Sequence, residues 1–527
     1  MTRLLALPEV IVEADRAGLP TDVMERLGRV SVAMRLSSPT AAELTFQSPP
    51  GPPLELGMLS LGSALRLSIA TDRVALFDGE VTAIEHVHGP AGTHEARVRA
   101  YDALHRLRKT QALRALRDVT ASDLAGELVA DIGLSVEAAT DGPSWPLLIQ
   151  HRQSSFALLV DVCERSGLYL TADDGTLRLV TLEGDGDPVA LVLGETLLEA
   201  RAEVNAESAC EEVVTSGWDV SRAEPVSGTS AEPMIGRDVT ASVVPGRVGA
   251  SGARHLVDEA VTDDARAEAL SRSERDRRAA AEVTLWAVAL GDARLRPGSR
   301  IEVKGISDAL CGRYVITEAV HTIDENGYVT ELTTAPPPRL PRPSAAASTL
   351  GVVSGIDDPE GIGRVRATLP TYGDVETDWM EIASPGAGTG KGLVWLPDVG
   401  DRVLVLLGHQ DPARAIVLGG LHGTDGPPDA GIEDGVVART TMRTVGGQTL
   451  RLDDSTGSFR IDNEAGSFLE ALPDKVRLHA GADLEIDAPG HAIVIRALSV
   501  DFQHAPEPEE PEEPDVPEVP ETPGGEP

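Results

Sequence analysis

Apolar and polar residues alternate over Val30–Met34, Leu65–Ile69 and Ala96–Ala100, the period of strands with one buried face. Residues 1–100 therefore read as an antiparallel β-barrel, broken by the proline- and glycine-rich loop Ser48–Pro53. From Tyr101 the period lengthens. Ala103, Leu104, Leu107, Ala112, Leu113 and Leu116 suit one helix, and Thr120–Asp123 caps a second carrying Leu124, Leu128, Val129 and Ile132. A third runs from Ser154 through Phe156, Leu159, Val160 and Cys163 to Gly167, and a hairpin turns at Asp173–Gly175 between Leu168–Thr171 and Leu177–Val180. Residues 101–188 are thus an α+β insertion.

Strands return over 189–340, with one helix over Ala265–Arg278 and strands at Val283–Leu290, Arg300–Val303, Tyr314–His321 and Tyr328–Thr333, a second barrel. The run Ala335–Pro343 is a stiff proline-rich spacer, and the linker extends over 341–350. Residues 351–423 pattern as a five-stranded OB-type barrel, with strands at Gly363–Leu369, Gly392–Pro397, Arg402–Leu407 and Ala415–Leu418.

Beyond the short loop 424–435 the pattern becomes a repeat. Apolar doublets separated by one polar residue recur as Leu450/Leu452, Phe459/Ile461, Phe468 (then, less regularly, Leu472), Val476/Leu478, Leu484/Ile486, Ile493/Ile495 and Val500/Phe502. The step is seven to nine residues, with turn formers such as Asp453-Asp454 and Pro489-Gly490 between. Each strand offers one narrow apolar edge, too little to enclose a core within one chain. Three chains wound together would share those edges, so 436–502 is expected to be a β-helical spike with those doublets at its core. An ordinary β-meander is the competing reading. The fold class expected overall is mainly β: a tandem β-barrel hub with an α+β insertion, an OB-fold barrel, then a C-terminal intertwined trimeric β-helix.

Charge narrows the partners. The 527 residues hold 46 basic and 84 acidic side chains, a net charge of −38, which disfavours nucleic acid. Aromatic residues make up only 3%, too few for stacking platforms. The three cysteines, Cys163, Cys210 and Cys311, are scattered and suit buried thiols in a reducing compartment. The N-terminus lacks a cationic start and an unbroken apolar run, so no signal peptide is expected, and no segment is apolar enough for a membrane helix. The tail 503–527 alternates proline with acid and holds no Lys or Arg, a composition that stays disordered on its own.

Candidate chemistry is sparse. Gly386–Gly392 resembles a phosphate loop, yet Pro385 stands where its first glycine belongs and Gly392 where its Ser/Thr belongs. His86 and His88 share one face of a strand without a carboxylate or thiol set to complete a zinc site. His321 suits packing or hydrogen bonding in the second barrel. The pairs Asp173/Asp174, Asp263/Asp264 and Asp453/Asp454 fall where aspartate serves turns. No catalytic, cofactor or metal residue is expected.

The stretch Asp357–Arg366, then Trp379, Gly386–Gly392, Leu396-Pro397, Gly400-Asp401 and Val417–His422, resembles in order the OB domain of VgrG-like spike proteins. Ser154–Tyr169, Pro297-Gly298, Gly312–Tyr314, His321, Gly327-Tyr328 and Thr330 resemble phage late control protein D. The resemblance implies a homotrimeric, non-enzymatic hub and membrane-puncturing spike of a contractile injection system, assembled in the cytoplasm into a phage-tail-like particle. It implies contact with inner tube and baseplate proteins, a PAAR-like tip protein, effector cargo and, transiently, a target membrane. A cargo or tip adaptor is the alternative, and a cell-wall hydrolase the third reading. Some spikes of this kind carry a lysozyme after the OB domain. Here the interval 424–435 is too short for one.

Overall fold

The computed structural model describes residues 8–48, 56–70, 75–219, 224–249, 252–257, 259–343, 345–424 and 426–503. The expected loop at 48–53 and the acidic tail lie almost wholly outside the described residues. The chain divides into two compact units, Met1–Gly423 and Thr424–Pro527.

The first unit opens with β1 Val10–Ala14, β2 Ala17–Gly18, the short α1 Thr21–Met24, β3 Leu27–Arg35, β4 Ala41–Ser48, β5 Ala64–Ile69, β6 Phe77–His88 and β7 His94–Tyr101. Alternate residues of these strands, among them Val32, Leu44, Phe46, Leu65, Leu67 and Val98, enclose one apolar core. The insertion follows: β8 Arg114–Val119, α2 Ala121–Val129, β9 Ser135–Ala138, β10 Trp145–Gln150, α3 Ser155–Arg165, β11 Tyr169–Asp173 and β12 Thr176–Val180. Thr120 and Asp123 form a reciprocal capping box at the start of α2, and the Ser154 hydroxyl accepts from the Ala157 N–H at the start of α3.

One expected helix is overturned. Residues 103–116 divide into a short 3₁₀ helix, Ala103–Arg108, and strand β8. The Asp102 carboxylate accepts from the Leu104 N–H and fixes the turn, while Leu116 pairs with Leu148 across the β8–β10 ladder. Pairing with a strand some thirty residues on decides the outcome against a helical spacing of leucines.

The remaining hub strands are β13 Asp185–Val192, β14 Leu197–Val204, β15 Glu212–Asp219, β16 Glu224–Ser230, β17 Asp238–Val239, β18 Ala253–Leu256, β19 Val283–Leu290, β20 Ser299–Lys304, β21 Gly312–Val315, β22 Glu318–Asp324 and β23 Gly327–Thr333. Helix α4, Asp264–Glu282, precedes β19 and is capped by the Asp263 side chain. The expected strand Tyr314–His321 is two strands that belong to different sheets. A second core gathers Leu285, Ile301, Val303, Tyr314, Ile316 and Leu332.

The two cores stand apart, but the backbone ladder does not stop between them. Strand β22 pairs antiparallel with β3, His321 opposite Val32, giving one eleven-stranded sheet in the order β14-β19-β23-β22-β3-β4-β7-β6-β5-β1-β2. The tandem barrels are therefore two cores under a continuous sheet.

The OB domain has strands β24 Ala347–Gly355, β25 Arg366–Leu369, β26 Val375–Glu376, β27 Arg402–Leu407 and β28 Ala415–Leu421, ordered β26-β25-β24-β27-β28 around Val353, Ala367, Leu369, Val403, Val405 and Val417. Its first strand starts inside the expected linker. The expected strand at Gly392–Pro397 is absent: these residues form an exposed loop. Gly386, Gly390 and Gly392 sit at φ of 68°, 68° and 133° and break the extended run.

The resemblance motifs acquire physical meaning here. The buried carboxylate of Asp358 accepts from Arg364 Nη2 at 2.7 Å and from the N–H groups of Glu360 and Ile362. These bonds, the Arg364 guanidinium first, hold its pKa well below the usual carboxylate range. Gly400, at φ 92°, donates to the Val353 carbonyl, and Trp379 lies under the Arg366 guanidinium at 4.6 Å.

In the second unit, β29 Ile432–Glu433 and β30 Val436–Val437 form a small hairpin. Strands β31 Arg439–Arg443, β32 Thr449–Asp453, β33 Ser458–Asp462, β34 Phe468–Ala471 and β35 Val476–His479 then form an antiparallel five-stranded meander in sequence order.

Candidate assembly surface

In an antiparallel sheet, residues directly opposite one another share a face. One row of the meander runs Met442, Leu450, Ile461, Leu469, Leu478, and the next Thr440, Leu452, Phe459, Ala471, Val476. Every residue on this face except Thr440 is apolar. The opposite face carries Thr441, Arg451, Arg460, Glu470 and Arg477 in one row, flanked by Arg443, Thr449, Asp462, Phe468 and His479.

The charged face is internally matched. Arg460 reaches Asp462 at 3.0 Å and Glu470 at 3.3 Å, and Arg477 lies 3.9 Å from Glu470. Phe468 lies on this face beneath the Arg460 guanidinium, 4.1 Å away, and stacks on His479. The doublet expected at Phe468/Leu472 is therefore Leu469/Ala471, one residue out of register. A single-residue slip turns a side chain to the other face, and Phe468 occupies the wrong one for a core.

At the entrance of the meander Asp429 ties the chain down. It accepts from the Thr441 hydroxyl at 2.7 Å, the Gly431 N–H at 2.9 Å and the Arg439 guanidinium at 3.3 Å. The Thr441 bond, then Gly431 and Arg439, holds its pKa well below the carboxylate range.

The apolar face is uncovered. Val476 is 71% exposed, Leu478 61% and Ile461 48%. Six of the ten residues expected at the spike core, Leu450, Leu452, Phe459, Ile461, Val476 and Leu478, share it. Leu484, Ile486, Ile493 and Ile495 fall within 480–502, where no strand forms, and they too are exposed. The sequence reading missed Met442, Leu469 and Ala471. Continuing the two-residue alternation backward through Thr440/Met442 would have found the first.

Elsewhere the candidate residues have structural employment. His86 and His88 are exposed on β6, and His88 Nδ1 lies 2.7 Å from Nδ1 of His94 on the paired strand. Gly386–Gly392 is the loop described above. Asp173-Asp174 turns the β11–β12 hairpin, and Asp453 accepts from Ser455 and Thr456 in a turn. Among the described residues no cluster of three or more His, Cys, Asp or Glu could hold a metal ion. No helix there is long and apolar enough to cross a membrane, which says nothing about strands.

The described chain combines a sheet over two cores, an OB barrel and a meander bare on one face, a fold similar to that of VgrG-like proteins. Residues 349–422 match the family model of the type VI secretion system/phage-baseplate injector OB domain, and residues 67–325 match that of the Alg8 N-terminal domain. None of the curated proteins compared matches the chain. Among solved structures, the half-lidded Francisella PdpA–VgrG complex is similar at 8% identity and TM-score 0.54, covering 90% of this chain and 88% of that one. An E. coli component of the type VI secretion system, itself structurally similar to bacteriophage tail proteins, is similar at 13% identity and TM-score 0.52, covering 78% of this chain and 99% of that one. At such identities the likeness is one of fold.

Proposed function

We propose that the chain is the non-enzymatic hub and membrane-puncturing spike of a contractile injection system, working as a homotrimer that caps the inner tube. The observation that carries this reading is the two-row apolar face of the meander. A lone sheet has no second layer to bury such a face, and each Leu, Ile, Val or Phe fully covered contributes about 1.5–3 kcal/mol. Three copies with these faces turned to a shared axis supply the missing layer, and Leu484 through Ile495 extend the same chemistry along the chain. The matched charges of the other face suit it to solvent. In this reading the spike end carries a PAAR-like tip protein and effector cargo, and the trimer adapts to tube and baseplate proteins.

Ile461→Asp places three carboxylates at the proposed axis, where unpaired charge is costly. Sedimentation of the full chain should show trimers lost or loosened, with the circular dichroism of the hub retained. Unchanged trimers with unchanged melting would overturn the axial assignment. Among the described residues between the OB domain and β31 the regular structure is the short hairpin of β29 and β30; zymography on cell-wall substrate should give no clearing.

A further inference from the structure

The segment joining β23 to β24, Ala335–Pro343, lies against α3 without forming any regular element. Its prolines are exposed or half-exposed, as is Leu340, so no apolar side chain anchors it. What holds it is charge. Arg342 donates from Nε to Asp161 at 2.9 Å and from Nη2 to Glu164 at 3.0 Å, and its side chain is only 12% exposed. The other oxygen of Glu164 accepts the Leu340 N–H at 3.0 Å, and Arg339 reaches Glu259 at 2.5 Å. The same carboxylates serve the hub, since Asp161 also pairs with Arg165. At the far end, His409 of the OB domain donates from Nδ1 to the Pro343 carbonyl at 3.3 Å.

Other ties between insertion and OB domain include the His151–Tyr372 ring contact at 5.4 Å, Arg152 Nη1 donating to Gln410 Oε1 at 3.3 Å and Arg117 lying 3.6 Å from Glu376. Leu147 and Ile149 of β10 pack on Val375, and Arg117 of β8 donates to the Thr377 carbonyl at 3.1 Å. We propose that residues 335–343 form a charge-held latch, closed in this structure, which fixes the OB domain on the α+β insertion and releases when its ion pairs break. This replaces the stiff proline spacer expected from sequence with a docked strap. Two features make it releasable rather than permanent. Loss of a single partner strands a buried charge, at a greater cost than trimming one apolar contact, and the less buried Arg339–Glu259 pair also weakens with salt. Arg342 Nη1 is also buried without a hydrogen-bond partner, so the closed state leaves one donor unsatisfied.

Trypsin supplies the readout. It cuts Arg339–Leu340 but not Arg342–Pro343, and it needs the chain detached on both sides of the bond, so cleavage after Arg339 reports the released strap. In the full chain, Glu164→Gln, which leaves the Asp161–Arg165 pair of the hub in place, should speed that cleavage on the order of tenfold, mass spectrometry identifying the bond. Arg342→Met should do the same without touching α3. Should either variant fail to fold, raising salt from about 0.05 M to about 1 M should accelerate the cut in the unaltered protein. Equal rates after Arg339 in folded variants and parent, or a parent rate indifferent to salt, would overturn the latch.

Discussion

His321 shows what a single side chain contributes at the seam of the hub. It is fully buried on β22, Nε2 donating to the Leu295 carbonyl at 3.1 Å and Nδ1 accepting from the hydroxyls of Tyr328 and Thr330, each at 3.0 Å. In the neutral tautomer protonated at Nε2 the single lone pair of Nδ1 is shared between the two hydroxyls. Burial, with Arg296 nearby, depresses its pKa to about 3. The unfolded chain takes up a proton near pH 6.5 that the folded chain refuses, so this group stabilises the hub above that pH and the contribution is lost on acidification. The slope approaches about 1.4 kcal/mol per pH unit between the two values. His321→Gln should destabilise at pH 8, and its deficit against the parent in urea melts should shrink as pH falls below 6. A deficit constant between pH 8 and 4.5 would refute the assignment. That a histidine stood in the second barrel was legible in the sequence; that it sits where both halves of the sheet meet was not, because the partner strand lies some 290 positions earlier.

Elements governed by their own residues were readable, and those governed by distant pairing were not. Helices α2 and α3 begin where Thr120 and Ser154 cap them, and the β11–β12 hairpin turns where Asp174-Gly175 demands it. The leucines of 103–116 and the apolar run 393–396 carried no local sign of their fate. The first joined a ladder with β10, and the second pairs with no strand among the described residues. The meander lies between these cases: its period was plain, yet a one-residue error at Phe468 exchanged its faces for one strand. Within the OB domain the turn ahead of β25 rests on one pair. Asp358→Ala would leave Arg364, 6% exposed, with only the half-exposed Glu360 carboxylate at 3.2 Å, at a cost of about 3 kcal/mol. Hydrogen exchange should then rise across 356–366 more than in β27, whereas uniform exchange would show that the pair is dispensable.

At the scale of the molecule the net charge of −38 is unevenly spent, for nine acids and no Lys or Arg stand in 505–527. If a basic tip protein docks near that end, deleting 505–527 should spare the oligomer yet weaken recruitment, most visibly at low ionic strength. Equal capture by full-length and truncated chains at low salt would reduce the tail to a solubilising role. The unbroken hub sheet bears on a different matter. Two cores invite the chain to be cut between them for separate expression, yet β3 and β22 face each other over seven residue pairs. Either fragment would bare a long row of amide and carbonyl groups, inviting the wrong strand to take the vacant place. The halves of this hub share a fate in the cell: a ribosome that stalls between them leaves a product prone to precipitate, and the first hundred residues wait for β22 before their edge is covered.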